Sequence, residues 1–146
     1  MNLGDLINKQ GLSWEPLDGE LNAKESQDFI RQFKDMFSCQ GARETKNVVY
    51  VWVTQKCIPR LRGKSNIIYF GKTIGTLYAR HYRYASTEGK GYKGYNWLRY
   101  KHIIKNFGPI KVYFARTSDP KDTESKLLEK YYEDHCEYPP ANRASR

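Results

Sequence analysis

Acid is almost missing from the middle of this chain. Between residues 46 and 116, Glu88 is the one carboxylate among fifteen lysines and arginines. Tyrosine is missing from the start, all twelve falling after residue 45. Cysteine is scarce, and Cys39, Cys57 and Cys136 form no CxxC pair, so neither a disulfide framework nor a zinc knuckle is indicated. No apolar run approaches the ~20 residues that cross a bilayer, and the charged start (Gly4, Asp5, Lys9) predicts no signal peptide. Internal repeats and long low-complexity tracts are also lacking. These absences point to the reducing cytoplasm and to no membrane partner.

What is present suffices for one core and not for two comfortable domains: 146 residues, 39% hydrophobic and 14% aromatic. The net charge of +9 matters less than its distribution. Residues 1–45 carry five Lys/Arg against eight Asp/Glu, so the basic excess lies entirely beyond residue 45. A surface this lopsided predicts a polyanionic partner, because each phosphate neutralised by Lys or Arg releases condensed counterions. A solvated basic face that holds nucleic acid weakly and non-specifically has the same charge.

Periodicity predicts an α+β fold with a small antiparallel three-stranded sheet flanked by helices. Residues 1–45 are expected to form a helical N-terminal extension, and residues 46–146 the main domain. In the extension, Asn22 is a plausible N-cap with Glu25 three residues on. Phe29, Ile30, Phe33, Met36 and Phe37 make an apolar stripe that Gly41 stops. That stripe packs on a core or on a second subunit, which leaves a homodimer open. VVYVWV at 48–53 and NIIYF at 66–70 read as a hairpin whose tip, 54–65, is a long basic loop. Residues 86–95 are rich in Gly, Lys and Tyr and are expected to order on nucleic acid. Helices around Trp97–Phe107 and after Asp119-Pro120 bracket a third strand at 110–115.

The chemistry gathers on Tyr69–Tyr84, YFGKTIGTLYARHYRY. Gly71 is expected to turn the backbone tightly after a strand, with Lys72 next and a helix carrying Arg80 and Tyr84 one turn apart. Two cations and a phenol in that arrangement suit a phosphate. On the last helix, with Leu127 at zero, ideal geometry puts Glu124 near ~60°, Glu129 near ~200° and Glu133 near ~240°, against an apolar stripe centred near ~90°. Glu124 is therefore the inward acid. Its carboxylate either binds metal or a partner, or sits there because the helix N-terminus favours an acid.

With these residues in order, the chain resembles the GIY-YIG nuclease family, most closely its small Type II restriction endonucleases. Val48-Val49-Tyr50 stands for the first half-motif, which here lacks its glycine, and Tyr69-Phe70-Gly71 for the second. Arg80, Tyr84 and a helix acid within TESKLLEKYYEDHCEYP complete the likeness over residues 46–142. The resemblance implies an endonuclease that hydrolyses double-stranded DNA with one divalent ion, Mg²⁺ or Mn²⁺, in a bacterial or phage-infected cell. It implies Tyr50 as general base with Tyr69 beside it and Lys72 helping at the attacking water. Arg80 would hold the phosphate, Tyr84 would stand where histidine is frequent, and Glu124 would hold the metal. Asn142 matches a family asparagine only loosely, and counting from it makes Glu129 the second choice of ligand. Arg60, Arg62, Lys64, Lys90 and Lys93 are the candidate DNA contacts. Two other readings stand beside this one: a basic nucleic-acid-binding module without turnover, and an acidic N-terminal arm that dimerises or regulates.

Overall fold

The computed structural model describes residues 1–8 and 11–142; Lys9, Gln10 and residues 143–146, with the basic tail of Arg143 and Arg146, lie outside the described residues. In chain order the elements are α1 (Leu3–Asn8), β1 (Trp14–Pro16), α2 (Ser26–Met36), α3 (Gln40–Glu44), β2 (Lys46–Pro59) and β3 (Lys64–Thr76). The chain continues through α4 (Leu77–His81), α5 (Ala85–Gly89), α6 (Tyr95–Phe107), β4 (Ile110–Arg116) and α7 (Pro120–His135). The α+β expectation holds, but the sheet has four strands rather than three, in the order β1-β4-β2-β3 and antiparallel throughout. Among the described residues no helix is long and apolar enough to cross a membrane.

β2 sits inside the sheet and is buried on both faces, which is why its sequence reads as a continuous apolar run rather than an alternation. Val48, Tyr50 and Trp52 point to one face, where Phe29, Phe33 and Phe37 of α2 and its C-terminal turn meet Leu77, Tyr100 and Ile103. Val49, Val51 and Val53 point to the other, against Leu127 and Tyr131 of α7 and Leu6 of α1. The α2 stripe therefore packs on the chain's own core, not on a second subunit. The helix itself starts at Ser26, later than an Asn22 cap would place it, because the Gln32 amide bonds the Asn22 and Ala23 backbone and holds that segment outside.

The missing fourth strand is Trp14–Pro16, which pairs with Tyr113–Ala115 of β4. Three residues around a proline carry too little periodicity to be seen as a strand, and a proline is tolerated because this is a sheet edge. The first 45 residues thus supply a strand and a helix to the same core as the rest. The hairpin also differs from expectation, since β2 and β3 extend to Pro59 and from Lys64, leaving only residues 60–63 as the tip. Between the Trp52–Tyr69 and Val53–Ile67 pairs the register shifts. That bulge puts the neighbours Ile68 and Tyr69 on one face, with Ile67 and Phe70 on the other.

Candidate active site

Gly71 does not turn the chain. β3 runs straight through it to Thr76, and its Cα lies opposite Tyr50 on β2. A Cβ at this position would meet the Tyr50 ring at 2.3 Å and its hydroxyl oxygen at 2.4 Å. Glycine is required here because the phenol lies directly against the backbone, a close approach no side chain allows. Tyr50 is only 1% exposed, and its ring lies 6.1 Å from that of Tyr69, centroid to centroid. Burial raises Tyr50 well above the ordinary tyrosine range, Tyr69 adds to this, and the Arg80 charge pulls the other way without winning. Tyr69 is half-buried.

Beyond β3, Thr76 caps α4 by accepting from the Ala79 amide at 3.0 Å, which starts the helix that carries Arg80. The helix ends at His81 and the chain tightens through Tyr82–Tyr84. Arg80 and Tyr84 still meet across that change of pitch, the guanidinium carbon lying 5.8 Å from the ring centroid; Arg83 lies at 5.0 Å from the same ring. Both arginines and the ring are exposed. His81 between them faces inward. It stacks on Phe37 at 4.0 Å, meets Tyr50 edge-on at 4.7 Å, and its Nδ1 bonds the Leu77 carbonyl at 2.9 Å. Burial lowers its pKa to about 3, so at neutral pH the ring is uncharged and Nδ1 is the donor.

Tyr50, Tyr69, Arg80, His81 and Tyr84 line one cleft of about 160 Å³. Glu124 is buried on α7, 4% exposed, and its charge acts on Tyr50 and opposes phenolate formation there. Glu129 is exposed on the same helix. Among the described residues no group of three or more His, Cys, Asp or Glu is assembled for a metal. What the fold offers is one buried carboxylate within electrostatic reach of Tyr50, lining a separate recess with Glu129 and Glu133 rather than the Tyr50 cleft. That suits a hard ion such as Mg²⁺, which keeps several waters and needs few protein ligands, and it does not suit zinc.

Other expected site residues are directed elsewhere. Lys72 stands cross-strand from Val49, on the face covered by α7, while Tyr50 occupies the opposite face. Arg60 donates to the Tyr138 carbonyl at 3.0 Å and pairs with Glu137. Arg62 donates to the carbonyls of Asp134, at 3.0 Å, and Glu133. Both side chains satisfy the open carbonyls at or just past the end of α7, a place that favours cations, and they are not available as DNA contacts. Asn142 takes up both backbone groups of Phe70, accepting from its amide at 2.9 Å and donating to its carbonyl at 3.0 Å. It closes the free edge of β3 rather than holding substrate. Lys64, Lys90 and Lys93 are exposed.

The cleft contains residues that sequence reasoning passed over. Trp52, Glu88, Arg99 and Tyr100 line it beside the expected group. The Tyr100 hydroxyl donates to Glu88 Oε2 at 2.9 Å, and Trp52 Nε1 is buried with no partner among the described residues. Glu88 carried a signal in its isolation, as the one acid in a strongly basic segment. No signal in the linear order brought Trp52 and Tyr100 to it. Neither a protein-family model, nor a curated protein, nor a solved structure matches this chain.

Proposed function

We propose that the protein is a metal-dependent endonuclease that hydrolyses phosphodiester bonds of double-stranded DNA. The observation that carries this reading is the cleft that Tyr50, Tyr69 and Arg80 line together, with the buried Glu124 outside it but acting electrostatically on Tyr50. The roles follow from the geometry and differ from a simple transfer of the family pattern. Tyr50 is buried and held in its protonated form, so it is a poor base. Tyr69, nearer solvent, is the phenol that acts on the attacking water: its own proton passes to bulk solvent, its oxygen then takes one from that water, and the phenol is restored. Tyr50 packs beside it, the ring centroids 6.1 Å apart, and positions its ring. Arg80 holds the phosphate with paired planar donors, steadied by the Tyr84 ring. Glu124 would hold a divalent ion, which supplies Lewis-acid relief of charge at the leaving 3′ oxygen.

The burial of Tyr50 favours a second reading, a basic module that holds DNA without cutting it. Plasmid digestion with Mg²⁺ or Mn²⁺ separates the two. The nuclease reading expects nicking or cutting that is lost in Glu124→Ala, falls at least a hundredfold in Arg80→Lys, and falls more in Tyr69→Phe than in Tyr50→Phe. Tight binding with no cutting under any divalent metal overturns it.

A further inference from the structure

The cleft is small, about 160 Å³, whereas the major groove of a duplex is by itself ~12 Å wide. Tyr50 and Trp52 in its lining are 1% and 2% exposed. A paired duplex is therefore too wide to enter, whereas a single unpaired group can. The lining matches one. The Trp52 ring lies 5.5 Å from Tyr69 and 5.6 Å from Tyr100, centroid to centroid. Polar groups stand among these rings: the Glu88 carboxylate held by the Tyr100 hydroxyl, and Arg99. The indole N–H of Trp52 is a buried donor left without an acceptor among the described residues, an arrangement that costs stability unless a ligand uses it. Arg80 and Tyr84 contribute the cationic, exposed part of the lining.

We propose that this cleft takes up one unpaired nucleotide, its base packed against Trp52, Tyr69 and Tyr100 and facing Glu88, its phosphate on Arg80. The inference rests on the nucleic-acid reading above and names how the substrate is presented: a duplex is engaged by extruding a nucleotide, and sites where a base is already unpaired are preferred. Extrusion opposes binding through the lost stacking and pairing, and least so for a base that has no partner. Stacking on aromatic rings and hydrogen bonds to the base edge offset it.

Fluorescence anisotropy in EDTA tests this with three DNAs: a fully paired duplex, the same duplex with a one-nucleotide bulge, and that bulge carrying an abasic residue. The bulged duplex is expected to bind at least tenfold more tightly than the paired one. The abasic bulge, equally flexible but with no base, should lose most of that gain. Trp52→Phe and Glu88→Gln, each confirmed folded by circular dichroism, should each reduce the gain at least threefold. Equal affinity for paired and bulged DNA overturns the proposal, as does an abasic bulge that binds as well as the intact one, or a gain unchanged in both variants. Cleavage is measured separately with Mg²⁺. A base-dependent gain without cutting upholds the nucleotide pocket and overturns the nuclease; cutting without the gain does the reverse.

Discussion

At the scale of single residues, Gly71 and His81 set the geometry around Tyr50. Alanine at position 71 would drive a methyl into the Tyr50 ring, and overpacking of this kind costs about 1–3 kcal/mol. Urea denaturation is expected to show that loss for Gly71→Ala, whereas adding Gly71→Ala to Tyr50→Ala should cost less than about 0.5 kcal/mol, since the clash is then gone. His81 makes stability depend on pH. Its folded-state pKa of about 3 lies below the ordinary 6.5, so the unfolded chain binds the proton more readily. Stability is fully present above about pH 6.5 and is lost as pH falls toward 3. Between about pH 7 and pH 4 the wild type should lose ~3 kcal/mol through this group. His81→Phe, which keeps the stack on Phe37, should show that much less acid sensitivity in melts across the same range. Both residues were visible in the sequence, but their roles were not. A glycine after a strand reads as a turn, and only the cross-strand pairing with Tyr50 shows it to be a point of contact.

At the scale of elements, the free edge of β3 and the hairpin tip are held by the C-terminal end of α7 and the segment through Asn142. The Ala141 amide donates to the Ile68 carbonyl at 2.8 Å, beside the paired bonds between Asn142 and Phe70. An uncovered strand edge is a liability, and this segment covers it next to the bulge that aims Tyr69. Asn142→Ala should cost about 1–3 kcal/mol, and Arg60→Ala a similar amount because it strips partners from the end of α7. Neither should change DNA affinity beyond about twofold, which anisotropy alongside urea melts would check. A large loss of affinity in folded Asn142→Ala would return that residue to the substrate. The helices, the central strands and the inward acid of α7 were legible because burial imposes periods on the sequence. That Arg60, Arg62 and Asn142 bond backbone groups was not legible, because a polar side chain carries no mark of whether its partner is a backbone carbonyl or a phosphate.

For the whole molecule, the boundary at residue 45 separates charge and not structure. β1 extends the sheet beyond β4, the Leu21 backbone pairs with Ile110, and Phe29, Phe33 and Phe37 fill one side of the core. Removing them takes away several large buried side chains, each worth about 3–5 kcal/mol, from a fold whose total stability is of order 5–15 kcal/mol. A chain of residues 46–146 alone is therefore expected to show no cooperative thermal transition by circular dichroism. A sharp melt from that fragment would establish the first 45 residues as a dispensable arm.

Composition and period by themselves determined the α+β class, the basic, tyrosine-rich half suited to a polyanion, and the inward position of Glu124. Each of these depends on residue type and local spacing, which the linear order contains. Tertiary structure alone decided that Tyr50 is buried beside Tyr69, that Lys72 lies on the far face, and that Trp52, Glu88 and Tyr100 share a cleft with Arg80. Those facts depend on strand register, a bulge and the packing of distant segments, and the energies that select them arise only when the core closes.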